Sequence, residues 1–439
     1  MRILYDISVL GEGYRSTSLR TGIFRVIESV AKELNKNHNI DLLFCSSKEL
    51  NSVNNCLLFL TKSNDFKNVK FLYPRHYRFP LLIAKAIRII SYILGPFGMI
   101  KLIRRAFQYV EYKFLFFYEK FLIGNLTENL FGMYSIDIFH SPYLALPQNA
   151  GFNKSHLEFI TIYDLMPTFL PHFFTSQTIN AAKENYESID KNTWVLCISE
   201  TTRQDLLKYK GNDIDPTKVI VTHLAASDFF YKSLDNDHNQ RVLKKYEIPR
   251  RPYVLALSLL DPRKNMNLII DAYIDIVNQY LIDDLNLVLV GPNGQDVNNI
   301  IEKIACQPRF KNRIILTGFI PDQDLAAIYS EALMFVYPSF YEGFGLPPLE
   351  AMQCGVPVIT SNNSSLPEVV GDAAIMIDPT DRTELVNAMY RLYIDEELRN
   401  NLSEMGIERA KLFSWKKCTE QTIEAYKLAL NTAAPKYHI

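Results

Sequence analysis

PSFYEGFGLPPLEAMQCGVPVIT, from Pro338 to Thr360, reads as loop, helix, turn and strand. The run before it, Ala332 to Tyr337 (ALMFVY), is apolar and of strand length. Pro338 stops that strand. Glu342, Gly343, Phe344 and Gly345 lie in the loop. Pro347 and Pro348 stand where a helix begins, because proline is preorganised for the first turn and lacks only an N–H that would be unpaired there. Glu350 is expected in that first turn. Gly355, after Cys354, is the expected C-terminal cap, and Val356 to Thr360 (VPVIT) is the next strand.

A glycine-containing loop that feeds a helix N-terminus presents free N–H groups and the positive end of the helix dipole, which suits a phosphate or diphosphate. Two carboxylates beside such a site would repel phosphate. They are suited to accept hydrogen bonds from neutral hydroxyls. The stretch therefore fits a ligand with a diphosphate between hydroxyl-rich groups, such as a nucleotide-sugar. The alternative is an ordinary strand–loop–helix unit with an acidic helix start.

At 439 residues the chain is long enough for two domains. A formal net charge of −1 gives no reason to expect nucleic acid as a partner. The six cysteines (Cys45, Cys56, Cys197, Cys306, Cys354 and Cys418) form no C-x-x-C pair, so neither zinc nor a disulfide framework is indicated. The first residues run straight into a strand pattern without a cationic leader and apolar signal core. Export is not expected, and a reducing cytoplasm is.

Residues 2 to 10 (RILYDISVL) read as a buried strand, followed by a long basic loop, GEGYRSTSLRTGIFR. Gly11, Gly13 and Gly22 do not make a dinucleotide fingerprint. Gly22-Ile23 opens a helix with Ile23, Val26, Ile27, Val30 and Leu34 on one face. Strand, loop and helix in this order indicate a doubly wound α/β domain, whose ligands sit at the carboxyl ends of strands. Arg15, Arg20, Thr21, Gly22 and Arg25 lie in that region; solvated loop charge is the alternative.

Residues 78 to 124 are rich in apolar and aromatic side chains, and Lys and Arg far outnumber the two acids, Glu111 and Glu119. The longest uncharged run, Ile89 to Ile100, is too short to span a bilayer and is broken by Gly95-Pro96. Arg104, Arg105, Lys113 and Lys120 interleave with aromatics, as in helices that lie in an anionic membrane interface. A helical insertion packed on the domain is the other reading.

Strands resume at Asp137–His140, Phe159–Ile162 and Trp194–Ser199, which puts His140 and Asp164 at strand ends as site candidates. Asp228 to Arg241 is polar without strong period and reads as the interdomain linker. A second α/β run starts at Tyr253, and Asp261-Pro262-Arg263-Lys264-Asn265 follows its first strand. An Arg–Lys pair at a helix start is a plausible diphosphate clamp; a capped helix with surface charge is the alternative. Further strands are Leu287–Gly291, Ile314–Gly318 and Ala373–Ile377, and Phe413-Ser414-Trp415 leads into a long amphipathic helix.

Together these pieces resemble glycosyltransferase family 4, the retaining sugar transferases of GT-B fold. Glu342 and Glu350 match its E-x7-E motif, and Asp261–Asn265 matches its Arg-Lys element. Leu316-Thr317-Gly318-Phe319 and the Phe413-Ser414-Trp415 helix fit as well. In the N-terminal half the likeness rests on Arg20–Ile23, Phe139–Pro142 and Ile162–Leu165.

The resemblance implies two Rossmann-like domains facing across a cleft, with the C-terminal helix packed back on the first. Residues 1–235 are then the acceptor domain, carrying the 78–124 insertion; 250–412 are the donor domain, and 413–439 the crossover helix. It implies Glu350 on the donor ribose, Glu342 on the transferred sugar, and the backbone of Gly343, Phe344, Gly345 and Leu346 near sugar and diphosphate. Arg263 and Lys264 would neutralise the leaving diphosphate. Gly318 and Gly22 complete the donor set, and Asp164 and His140 join Glu342 as catalytic-region candidates. Relatives often carry His-Asp where this chain has Tyr163-Asp164, and Gly-Gly where it has Thr21-Gly22.

The expected activity is transfer of a hexose from a nucleotide-sugar, a substrate rather than a cofactor, to a hydroxyl of a glycan or lipid-linked acceptor. No metal and no other cofactor is expected. Surface-polysaccharide or lipopolysaccharide synthesis is the expected setting, in the cytoplasm with peripheral contact at the inner face of the cell membrane. A nucleotide-sugar epimerase, a sugar phosphorylase and a non-catalytic nucleotide-sugar scaffold are the alternatives.

Overall fold

The computed structural model describes residues 1–15, 22–93, 100–120, 135–147, 156–258, 261–291, 294 and 297–433. Within helices, the side chains of 92–93 and 100–104 also fall outside the description. Arg20, Thr21, Gly95, Pro96 and the side chain of Arg104 thus lie outside the described residues.

Two parallel sheets form in succession. The first contains β1 (Arg2–Asp6), β2 (Asp41–Cys45), β3 (Lys70–Phe71), β4 (Ile138–Ser141), β5 (Leu157–Ile162), β6 (Trp194–Cys197) and β7 (Val219–Val221), in the order β3-β2-β1-β4-β5-β6-β7. The second contains β8 (Tyr253–Leu257), β9 (Asn286–Val290), β10 (Ile314–Gly318), β11 (Met334–Tyr337), β12 (Val358–Ser361) and β13 (Ala374–Ile377), in the order β10-β9-β8-β11-β12-β13. The inner strands β8, β9, β11 and β12 are short and almost wholly buried, as parallel strands covered on both faces must be. Each sheet reverses direction beside its first strand: β1 lies between β2 and β4, and β8 between β9 and β11. Such switch points open a crevice at the carboxyl ends of the strands. In the second domain the loops after β8 and β11 therefore meet, which brings Arg263-Lys264 to Glu342.

The C-terminal helix, Trp415–Ala433, packs back on the first domain. Tyr426 is fully buried there, edge-on to Phe159 at 4.8 Å. Thr422, also buried, turns its hydroxyl inward to the carbonyl of Cys418.

Three stretches depart from the sequence reading. The first strand ends at Asp6, not at residue 10. Asp6 Oδ1 accepts from the N–H and hydroxyl of Ser8 at 2.7 and 2.6 Å, and a helix runs from Ser8 to Arg15 where a loop was expected. Its glycines serve packing. A Cβ on Gly11 would lie 2.7 Å from the Cys56 nitrogen, and one on Gly13 2.4 Å from the Phe24 ring. Likewise Asp228–Arg241 is only partly a linker. Asp235 caps a helix, Asn236–Lys245, by accepting from His238 N at 2.9 Å. That helix buries Val242 and Leu243 and packs on Asp322–Ser330 of the second domain. Finally, the helix after the quoted loop starts at Leu346, so Glu350 sits in its second turn.

The basic, aromatic stretch forms two helices, Arg78–Ile93 and Ile100–Tyr118, packed on each other. Leu81, Ala84 and Leu115 bury against Leu50 and Val53 of the helix Leu50–Lys62. Both acids face inward. Glu111 pairs with Arg88 and accepts from Asn54 at 2.8 Å, and Glu119 accepts from Leu50 N at 3.1 Å. Phe79, Leu82, Ile89, Ile90, Phe116 and Phe117 stay exposed. Among the described residues no helix is long and apolar enough to cross a membrane.

Candidate active site

Glu342 is 8% exposed, and four donors converge on its Oε1. Lys264 Nζ lies at 2.5 Å, Ser339 Oγ at 2.6 Å, Tyr337 OH at 2.9 Å and Arg263 Nη1 at 3.2 Å. Lys264 also donates to Tyr337 OH at 2.6 Å, and Arg263 to the carbonyl of Tyr341 at 2.9 Å. Burial alone would raise the Glu342 carboxyl. Lys264 and Arg263 outweigh it and hold it at about 2. The group is an anion at neutral pH; Asp261 and Asp164 also act on Arg263, and burial lowers the Lys264 ammonium against the pull of Glu342.

Local sequence explains this placement. Asp261 Oδ1 accepts from Arg263 N at 2.9 Å and caps a single turn, Pro262–Lys264. The clamp thus precedes the long helix Met266–Gln279 rather than starting it. Asn265 between them takes a left-handed conformation, φ 58°, a region that asparagine tolerates better than most residues. Its amide ties Pro338 O at 3.2 Å and Pro379 O at 2.7 Å. Serines after β12 lace the acidic loop. Ser364 Oγ accepts from Glu342 N at 3.1 Å, and Ser365 Oγ lies within reach of the carbonyls of Glu342 (2.9 Å) and Phe344 (2.6 Å).

The glycines of the loop have separate reasons. A Cβ on Gly343 would stand 2.2 Å from Tyr163 O and 3.0 Å from Asp164 Cβ, because the loop presses on the first domain. Thr202 Oγ1 spans the same seam, 3.1 Å from Tyr163 O and 3.3 Å from Gly343 O. Gly345 has φ +122°, a conformation that strains any side-chain-bearing residue. Phe344 turns inward, 3% exposed, edge-on to Phe413 at 5.8 Å. Gly22 opens its helix against Leu346, so two helix N-termini face each other across the cleft.

Glu350 is 2% exposed and meets the other domain. Arg25 Nη1 lies 3.3 Å from its Oε1 and 3.4 Å from Asp322, and Tyr329 OH lies 3.4 Å from its Oε2. Burial raises the Glu350 carboxyl, Arg25 and Tyr329 oppose that, and the nearby Asp322 charge adds to it. A cavity of about 270 Å³ adjoins it, walled by Arg25, Lys32, Phe229, Asp322 and Leu346. Asp164 faces the cation cluster from the first domain. Its Oδ1 accepts from Met166 N at 2.9 Å, and burial, only partly offset by that bond and by Arg263, lifts its carboxyl to about 6.

Two candidates stand apart. His140 is 1% exposed, with Nδ1 2.6 Å from Tyr426 OH and Nε2 2.8 Å from Thr161 Oγ1. Burial pushes it down to about 3, so it is neutral, and it fastens the C-terminal helix instead of lining the cleft. Gly318, φ +71°, ends the edge strand β10, with open space where a Cβ would stand, and no contact ties it to Glu342 among the described residues. Sequence reasoning missed Tyr337, Ser339, Thr202, Ser364 and Ser365. The position of Tyr337 at the carboxyl end of a buried strand was a usable signal. It also left Arg25 unpaired with Glu350. Among the described residues no three His, Cys, Asp or Glu side chains form a metal-binding group.

The candidate site thus lies between two doubly wound domains, with a cationic and hydroxyl-rich cluster at the switch point of the second. Residues 239–409 match the family described as glycosyl transferases group 1. The chain is 33% identical over 293 residues to O-antigen chain mannosyltransferase B of Escherichia coli, covering 66% of this chain and 74% of that one. It is 31% identical over 243 residues to the serotype-specific mannosyltransferase WbdA of Escherichia coli, covering 54% of this chain and 29% of that longer one. Among solved structures, sucrose-phosphate synthase from Thermosynechococcus elongatus superposes with a TM-score of 0.63 at 19% identity, over 98% of this chain and 100% of that one. The chain belongs to the group 1 glycosyl transferases, and it is a glycosyltransferase of GT-B fold.

Proposed function

We propose that the chain transfers a mannosyl group, with retention and without a metal ion, from a nucleoside-diphosphate sugar to a hydroxyl of a growing surface glycan. Mannose and the surface glycan come from the names of its relatives. The observation that carries the chemistry is the Lys264–Arg263–Glu342 cluster beside the N-terminus of the helix Leu346–Gln353. In the reaction the bond from the sugar C1 to the diphosphate oxygen breaks. A new C1–O bond forms to the acceptor, and nucleoside diphosphate and one proton are released. Charge develops on the diphosphate, where Arg263, Lys264 and the positive end of the helix dipole receive it, the role a divalent cation plays elsewhere. Glu342 is held as an acceptor for sugar hydroxyls, and Glu350 for the ribose.

A panel of nucleoside-diphosphate sugars should raise the thermal midpoint for one donor, since a ligand of the native state stabilises it. That donor should be turned over with an α-mannoside acceptor in EDTA. No shift with any donor, or activity restored only by a divalent metal, would sink this reading. The exposed face of the 78–118 hairpin, with Phe79, Leu82, Ile89 and Phe116 beside Arg78 and Lys85 and its acids turned inward, supports contact with an anionic bilayer. Cosedimentation with phosphatidylglycerol vesicles but not with phosphatidylcholine vesicles is expected; equal recovery in both supernatants counts against it.

A further inference from the structure

A second and larger cavity, about 680 Å³, lies in the first domain between the helices Ser8–Arg15, Leu50–Lys62 and the hairpin. It shares no residue with the donor cluster. Its volume is in the usual range of small-ligand sites, about 300–1,000 Å³. Its wall carries amides and tyrosines together with the arginines Arg15, Arg88 and Arg105. Asn51, Asn54 and Asn55 come from one helix and Gln108 from another, with Tyr14 and Tyr112 between them.

One of the three arginines in this wall is matched by an acid. Arg88 pairs with Glu111, and Asn54 joins them, donating to Glu111 at 2.8 Å and accepting from Arg88 at 3.1 Å. The Arg15 guanidinium rests over the Tyr112 ring at 4.6 Å. An amide offers a donor and an acceptor side by side, as a sugar hydroxyl does, while tyrosine rings suit the C–H faces of sugars. Location adds a second argument. Arg15 ends the helix that follows β1, and Gly22, seven residues later, touches Leu346 beside the donor loop. The cavity is thus on the acceptor domain, at the carboxyl side of its sheet.

We propose that this cavity binds a neutral glycan chain, the part of the acceptor a few sugars behind its reacting hydroxyl, and so makes the enzyme prefer longer acceptors. The inference rests on the transfer reading above for its biology, but its test does not need turnover. Calorimetry without donor, on α-linked manno-oligosaccharides from one to four units, should show affinity rising at least tenfold with length. The variant Asn55→Ala/Gln108→Ala, with its thermal midpoint as fold control, should lose most of that gain. Equal affinity for all lengths, an undiminished gain in the variant, or displacement of the tetrasaccharide by inorganic diphosphate would overturn the proposal. Transfer to a monosaccharide acceptor is measured separately. Its failure with length-dependent binding intact counts against the transfer reading alone, and the reverse pattern against the cavity alone.

Discussion

Glu342 and Glu350 are the same residue type, eight positions apart, on one loop and the helix it feeds, and the protein treats them in opposite ways. Glu342 draws its partners from its own domain: Lys264, Arg263, Tyr337 and Ser339. The result is a carboxylate held down at about 2. Glu350 draws its cation from the other domain, at 3.3 Å, and burial leaves its carboxyl raised. One acid is therefore fixed by charged and hydroxyl partners from within its own domain. The other is fixed by a cation of the first domain. A motif that looks symmetrical in sequence joins an anchor held within one domain to a contact made across the domain interface.

The strongest way to break this contrast is to remove the anchor's main cation. Lys264→Ala should lower turnover about 10²- to 10³-fold, the usual cost of losing one donor aimed at developing charge. Arg263 still faces Glu342, so the protein should fold. Its acid stability should change, however. A carboxyl lowered from 4.5 to about 2 contributes stability that is fully present above 4.5 and lost as pH falls toward 2. Without Lys264 the folded value rises, and much of that contribution should be missing. Unfolding midpoints between pH 2 and 6 read this directly, and an unchanged acid limb would mean that Lys264 does not hold Glu342.

Why the anchor was legible and the contact was not follows from where their partners lie. Strand, Pro338, loop and two prolines fix the geometry around Glu342, and Asp261–Asn265 sits at the matching place after β8. Alternation of strand and helix gave the rest of the two-domain fold. No spacing in the chain links Arg25 to Glu350, because pairs made across a domain interface have no sequence period. The serines at 361–365 look like any polar loop until the strand order places them. Gly11 and Gly13 resemble a flexible loop because close helix packing and loop freedom select the same residue. The helix Asn236–Lys245 escaped because Asn239, a polar residue, fills one of its buried positions, bonded to Ser233 and Glu331. His140 was misplaced because strand ends point into a cleft in some places and under a helix in others, and the helix residue that covers it lies 286 residues away.

A second test sharpens the contact. Glu350→Ala removes hydrogen bonds to a charged group worth about 1.5–3 kcal/mol, so donor KM should rise about ten- to hundredfold. Arg25→Met removes its partner. Without donor the two substitutions should be non-additive in urea unfolding, because they break one interaction. With donor saturating, the ribose takes over Glu350 and the coupling should fall toward zero. Coupling that survives saturation would show that Arg25 and Glu350 stay paired through the reaction, and would remove Glu350 from the donor site.

The smallest expected effect concerns Asp164, which lies opposite both acids' domain and near the cations that serve Glu342. Its carboxyl is lifted to about 6, first by burial and further by the Glu342 charge, against Met166 N, Arg263 and Lys264. A bound diphosphate would add negative charge beside it and raise it more. By linkage the donor then binds more tightly to the protonated form, so affinity should weaken as pH rises through 6, by less than about tenfold between pH 5.5 and 8. A diphosphate diester does not itself titrate in that window, which leaves the protein as the source of the slope. Calorimetric donor titrations at several pH values should show proton uptake on binding, and Asp164→Asn should flatten the profile. A slope that persists in the variant would assign the proton to another group. It would also place Asp164 too far from the diphosphate to act on it, and the cation cluster alone would then set the charge of the cleft.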